Sequence, residues 1–463
     1  MRGSRRCICE SSAIDASRRK ALSTSPTLHN DRSANARMHD LLSRLWPLHR
    51  TLNCDDMDRA LDMCGDYLSD SRWTIHRYPV GADVYTWYIP ERYKVKEAWL
   101  EIGGERVADF AANPLHLLSY SLPQRISGRL GDIRSHLWTS KTRPNAIPWE
   151  FKYYERSWGF CLRHADLDRF DDSAPVRGVI DVEFGHEDFR LGEIYLPGET
   201  DQDVLCLTNI CHPRQVNDSI AGLVVGLEMC RALSAQSRRR YGFRLLVVPE
   251  TIGTIAWFAN NEALVERIKF AWFCEMVGHD QPFHLQHSRQ ADALIDRAFV
   301  TLLPDFRQHG TERRGAFREV VASDEMVTNG PGFDIPTPSL TRWPYHEYHT
   351  SDDNPAIIRP ENLGETLAFF LALWRNLEDN YYPRRTFKGP VMLSRFGLWV
   401  DWREDRALNL ATEKIMQSLE GDRSVIDIAF DLKLPLQTIR RYLDRFHEAG
   451  LIEKSSTPWP ATR

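Results

Sequence analysis

Long hydrophobic runs are missing from this 463-residue chain. The most apolar stretch, Ala221 to Leu227, soon meets Glu228 and Arg231, well short of the about 18 residues that a membrane-crossing helix needs. No membrane partner is expected. An excess of one charge sign is missing too, since 59 Lys and Arg stand against 64 Asp and Glu, a net charge of −5. So small a balance sets up no global field toward nucleic acid or a lipid surface, and any such role must be local. The nine cysteines, at 7, 9, 54, 64, 161, 206, 211, 230 and 274, form neither a CxxC pair nor a disulfide framework. A chain of this length has ample material for a core without staples, and a reducing cytoplasm is the expected location.

Residues 1–37 also lack something: they carry Arg-Arg pairs at 5/6 and 18/19 and nine Ser or Thr, but few aliphatics and no periodicity. They read as a disordered extension without the apolar region of a secretory signal, and Met38 reads as the true translation start. From Met38 to about Leu68 apolar residues recur at helical spacing, with an interruption from Thr51 to Asp56. Between about Trp73 and Pro148 the texture changes to short Tyr-, Trp- and Val-rich runs such as Asp83 to Ile89, Ala98 to Ile102 and Val107 to Phe110. That predicts a small inserted β-rich domain over 73–149, with its aromatics mostly ordinary sheet packing.

After Pro175 the pattern alternates. Strands at Val204 to Ile210, Phe243 to Val248 and Phe270 to Met276 alternate with helices at Ser219 to Leu233, Thr254 to Ile268 and Ala291 to Leu303. Alternation of this kind predicts an α/β domain over 38–72 and 150–385, built on a mainly parallel mixed sheet flanked by helices. Further β-like runs at Phe317 to Val321 and Ile335 to Thr341 precede a helix from about Pro360. Residues 401–463 hold three helical stretches and a short strand-like tail, a pattern that resembles a winged helix-turn-helix. Its third helix carries Arg440, Arg441 and Arg445 but also Asp444 and Glu448, so DNA is not the expected partner.

Four segments place metal donors or carboxylates where apolar runs stop: Cys211-His212-Pro213 with Asn217-Asp218, Pro249-Glu250-Thr251, Cys274-Glu275 and Tyr348-His349. In an open parallel sheet the carboxyl ends of the strands line one crevice, so these segments can converge there. His212, Asp218, Glu275 and His349 are suitable zinc donors, and a catalytic zinc keeps one position free for water. Asp218 also stands where it could cap the following helix. Strand alternation turns Cys211 away from the His212 side and into the core. Glu250, between the Leu245 to Val248 run and Gly253, suits a general base. Asp324-Glu325 either holds a ligand through hydrogen bonds or forms solvated loop acids.

The order of these motifs, with Ser323-Asp324-Glu325, resembles the clan MH zinc aminopeptidase superfamily. Tyr154 to Cys161 and Tyr195-Leu196-Pro197-Gly198-Glu199 are further likenesses to bacterial aminopeptidase-like proteins with an inserted β-rich domain and a C-terminal winged helix. The resemblance implies a bridging role for Asp218, with His212 and Glu275 completing one metal's ligands and His349 serving a second. It also implies a base at Glu250, although Glu250 as a ligand is an alternative. Thr251 stands where the superfamily has a second glutamate, and a neutral hydroxyl is a weak zinc ligand, so one zinc is expected and a second site is in question.

The implied activity is zinc-dependent hydrolysis of an amide or peptide bond in a small peptide-like or N-acyl substrate. Arg342 and Tyr345, just before His349, are expected to bind substrate at the developing oxyanion. Two other readings stay open, single-zinc acyl transfer or cyclisation, and a ligand-binding regulator that acts through residues 401–463. Oligomeric state is not fixed by the sequence.

Overall fold

The computed structural model describes residues 32–306 and 312–460. Strands β3 (Asp203–Asn209), β4 (Gly242–Val248) and β5 (Ile268–Cys274) are almost continuously apolar, and all of β3 and β4 is buried. A strand covered on both faces reads as an unbroken hydrophobic run, which is why the sequence shows no alternation here. With β1 (Trp73–Tyr78), β2 (Phe189–Leu196), β6 (His284–Gln286), β7 (Arg313–Gly315) and β8 (Ser339–Thr341) they form one eight-stranded sheet, ordered β1-β2-β4-β3-β5-β8-β6-β7. Pairings β4/β3, β3/β5, β5/β8 and β6/β7 are parallel and the other three antiparallel, so the sheet is mixed.

Helices cover it. On one side α1 (Arg32–Leu45) and α2 (Asp55–Leu68) pack with α3 (Gly222–Ser234) and α6 (Pro360–Glu378), while α4 (Ile252–Asn260) follows β4 and α5 (Leu294–Leu302) follows β6. The start of α3 lies so close to β5 that a Cβ on Gly222 would stand 1.9 Å from the Cys274 carbonyl oxygen. Only glycine allows that approach, and it brings the Asp218 turn against Glu275.

Several boundaries differ from expectation. Helix α1 begins at Arg32, so Met38 lies inside a helix and the supposed disordered extension is corrected for residues 32–37; the rest of it, 1–31, lies outside the described residues. Trp73–Tyr78 belongs to the large sheet, as its antiparallel partner β2 requires. The inserted four-stranded sheet instead uses Arg92–Ile102, Glu105–Asp109, Gln124–Arg129 and Pro175–Gly185, so it extends past residue 149. Periodicity finds strands but not their partners. Phe317 to Val321 is a turn, and the nearby strand is β7.

At the C-terminal end α7 (Arg406–Gln417), α8 (Val425–Leu432) and α9 (Leu436–Glu448) follow the expected order, and Ile452–Ser455 pairs antiparallel with Tyr382–Arg385. This unit leans on the large domain. Helix α8 packs on α5, where Arg297 and Asp427 form a 2.8 Å ion pair. Arg440 is 9% exposed and turned onto Asp379 and the Asn376 carbonyl. No helix among the described residues is long and apolar enough to cross a membrane.

Candidate metal centre

Three strands end at the same place. β3 runs into Ile210-Cys211-His212, β4 into Pro249-Glu250-Thr251, and β5 into Glu275, because parallel neighbours present their carboxyl ends together. A wide turn at Val216–Ala221 brings in Asp218, and the loop after β8 brings in His349. Donor atoms of His212, Asp218 and His349 all lie within 4.8 Å of one another. His212 Nε2 is 3.9 Å from Asp218 Oδ1 and 3.3 Å from Glu250 Oε2, and His349 Nε2 is 3.0 Å from Asp218 Oδ2. Glu275, 4% exposed, lies against Asp218.

The electrostatics are those of a charged cluster withdrawn from water. Burial works to lower the pKa of His212, but Asp218, then Cys211 and Glu250, outweigh it and hold the imidazole well above its usual range. Burial likewise works to raise Asp218, yet His212 and His349 bring it below the normal carboxylate value. Glu275 is pushed well above its ordinary value by burial and by Asp218 beside it.

Asp218 Oδ2 and His349 Nε2 are both buried and stand 3.0 Å apart as an ion pair, with no other side chain or backbone group of the described residues bonded to either atom. The two imidazoles and the Asp218 carboxylate that converge here fit a divalent ion such as zinc.

The loops are held from behind. Arg50, fully buried between α1 and α2, donates to the carbonyls of Ile210, His212 (2.6 Å) and Gln215 (3.2 Å). Asp353 accepts the backbone N–H groups of Val216 (3.1 Å), Asn217 (2.8 Å) and Asp218 (3.2 Å) and the Tyr345 hydroxyl (2.8 Å), while burial pushes its carboxyl up to about 7. A buried cation thus binds one side of the 210–218 loop and a buried acid the other. Ser323 reaches Glu275 indirectly, because Asn209 Nδ2 contacts both Ser323 Oγ (2.9 Å) and Glu275 Oε1 (3.4 Å). Asp324, fully buried and pushed up to about 7 by that burial and by Glu250, accepts the Thr251 N–H at 3.1 Å. Thr251, Met276 and His349 have φ of 63°, 53° and 53°. Such left-handed non-glycine residues cost about 1–3 kcal/mol each and gather at functional sites.

Some expected roles are corrected. Asp218 does not cap α3, since its carboxylate points at His349 and the helix starts further on at Gly222. Cys211 is buried but not remote: its Sγ accepts the Glu250 N–H at 3.1 Å and lies 3.7 Å from His212 Nδ1. Arg342 is 1% exposed, and the Val277 and Gln281 carbonyls and Glu365 (2.5 Å) take up its guanidinium, so it is not free to meet an oxyanion. The Tyr345 hydroxyl is committed to Asp353.

Other residues carried no sequence signal of a role. Trp149, from the inserted unit, stands edge-on to His212 and His349 with ring centroids 4.6 Å from each. Asp353 had only the Asp352-Asp353 doublet as a hint, and Arg50 had none. A cleft of about 590 Å³ opens between Tyr85 and Trp87 of the inserted unit and Ile255, Met326 and Phe333 of the large domain.

The large mixed sheet with helices on both sides is an aminopeptidase-like fold. The zinc aminopeptidase BSAP of Bacillus subtilis shares it at a TM-score of 0.57 and 12% identity, over 73% of this chain and 93% of that one. A peptidase M28 precursor from Shewanella amazonensis shares it at 0.52 and 13%, over 74% and 96%. More narrowly, the chain belongs to the family described as "Domain of unknown function (DUF4910)", matched over residues 39–380. A Clostridium acetobutylicum crystal structure, provisionally described as a peptidase, has a TM-score of 0.80 and 26% identity, covering 92% of this chain and 98% of that one. A protein of the same organism is 27% identical over 434 residues, 92% of this chain and 98% of its own. Its name assigns it provisionally to polysaccharide biosynthesis, with an aminopeptidase-like domain.

Proposed function

We propose that this chain is a zinc-dependent, aminopeptidase-like hydrolase of an amide or peptide bond in a small peptide-like or N-acyl substrate. One observation carries the reading: buried donor atoms of His212, Asp218 and His349 converge within 4.8 Å at the shared carboxyl end of the strands, and among the described residues Asp218 Oδ2 and His349 Nε2 have no partner there but each other. The relatives named for peptidase or aminopeptidase-like character support it. In this reading His212, Asp218 and His349 would hold one zinc, and Glu275 would steady Asp218 beside it rather than use up the position that substrate or water needs. Bound zinc supplies Lewis acidity toward an amide carbonyl and toward water.

Glu250 is the general base. Its carboxylate, part-exposed and 3.3 Å from His212, takes the proton of the attacking water and returns it to the leaving amine as the C–N bond breaks. Asp353 and Arg50 keep the ligand loop in register for this. Thr251 has no carboxylate to offer a second ion, and its N–H is tied to Asp324, which favours a single-metal centre. The buried place of Arg440 removes one candidate DNA contact, so the C-terminal unit is read as an interface with the large domain.

The test is a screen of aminoacyl amides and N-acyl substrates on the zinc-loaded protein with product analysis. Hydrolysis releases a new amine and a carboxylate. Loss of water or ammonia with ring closure would replace this reading by cyclisation, and no turnover of any amide would remove it.

A further inference from the structure

The inserted unit reaches the candidate centre through one extended segment, sewn to the loop that carries His349. Trp149 N–H donates to the His349 carbonyl at 2.7 Å, Ser351 N–H to the Ile147 carbonyl at 2.8 Å, and Ile147 N–H to Ser351 Oγ at 3.0 Å. Arg143 adds a bond to Asp352 at 2.9 Å. In an extended chain residues i, i+2 and i+4 share a face. Trp149, Phe151 and Tyr153 do so here, with ring centroids 5.0 Å apart for the first pair and 4.8 Å for the second. The same alternation puts Glu150 and Lys152 on the other face, where Lys152 pairs with Glu155 at 2.8 Å.

Exposure separates the three rings. Trp149 is 3% exposed and sealed against the two histidines, whereas Phe151, 6.4 Å from His349, is 39% exposed. Its position is nonetheless fixed, because Trp149 packs on one side of it and Tyr153 stacks on another. A large apolar ring held in place by its neighbours yet open to solvent 6.4 Å from His349 offers an apolar contact to a group bound at the centre.

We propose that Phe151 is a specificity-determining residue that selects substrates with an apolar or aromatic group adjoining the scissile amide. The proposal rests on the hydrolase reading above, and it assigns the wall of that site to the inserted unit rather than to the large domain.

The experiment measures equilibrium binding of alaninamide, leucinamide and phenylalaninamide to the zinc-loaded Glu250→Gln chain by calorimetry, alone and combined with Phe151→Ala or Phe151→Tyr. Leucinamide and phenylalaninamide are expected to bind about tenfold more tightly than alaninamide, the scale of one well-packed apolar or aromatic contact. Phe151→Ala should abolish that preference, bringing leucinamide and phenylalaninamide to the affinity of alaninamide, and Phe151→Tyr, which keeps the ring and its packing on Trp149 and Tyr153, should retain it. Equal binding of the three amides, no binding of any, or an equal loss for all three in Phe151→Ala overturns the proposal. Turnover by the otherwise native chain separates the two readings. A binding preference without cleavage sinks the hydrolase and leaves Phe151 as a ligand selector, whereas cleavage without preference sinks the Phe151 proposal alone.

Discussion

Two buried carboxylates of the large domain have opposite surroundings. Glu193 on β2 lies 2.5 Å from His76 Nε2, accepts the Trp257 indole N–H at 3.0 Å and pairs with Arg244, which also reaches Asp203. Asp218, just as deeply buried, faces two histidines and a glutamate, and one of its oxygens pairs with His349 alone among the described residues. Both clusters bring together side chains distant in sequence. The first surrounds its acid with a cation, an indole N–H and an imidazole, which marks a structural tie; the second gathers two imidazoles and further carboxylates around its acid with no Lys or Arg among the described residues to balance them, which suits a metal cation.

The contrast can be broken most sharply at His212. His212→Ala is expected to take zinc content, read by elemental analysis, from about one ion per chain to none, with turnover lost and the zinc-induced rise in melting temperature abolished. A mutant that still retains zinc would erase the distinction between the clusters. Next in size is Glu250→Gln, expected to lower kcat by about 10²–10⁴-fold with zinc content unchanged. Retained turnover would remove Glu250 as the base.

On the other side of the comparison, Glu193→Ala takes from the buried Arg244 guanidinium one of its two acidic partners and leaves it only Asp203 at 3.3 Å. It should cost about 3 kcal/mol in denaturant unfolding without altering zinc content. The smallest effect is expected at Asp353→Asn, which puts an amide donor against some of the four donors now bound by the acid and should cost about 1–3 kcal/mol. This variant sits between the two classes: zinc affinity should fall as well, because the turn that carries Asp218 loses its anchor, and unchanged affinity would make Asp353 purely structural.

Legibility followed the range of the forces involved. The runs of β3, β4 and β5 were readable because burial on both faces makes a strand continuously apolar, and the residues that end them were readable as candidates because carboxylates and imidazoles are costly at such positions. The first strand was misplaced because Trp73–Tyr78 is defined by its pairing with β2, more than a hundred residues away. Arg342 and Tyr345 were misread for the same reason. Their nearness in sequence to His349 said nothing of Glu365 and Asp353, which claim their donors.

The amino-acid sequence by itself determined the α/β element order and the placing of His212, Asp218, Glu275 and His349 at loop positions and of Glu250 and Thr251 after a buried strand. Local propensity and hydrophobic period act over a few residues, and that is enough to fix these. Only the tertiary structure decided that Asp218 and His349 would meet as an ion pair, that Arg50 and Asp353 would grip the ligand loop, and that Trp149 and Phe151 would arrive from the inserted unit. Each of those contacts joins residues far apart in the chain, and its geometry exists only once the sheet, the helices and the inserted unit have packed around one crevice.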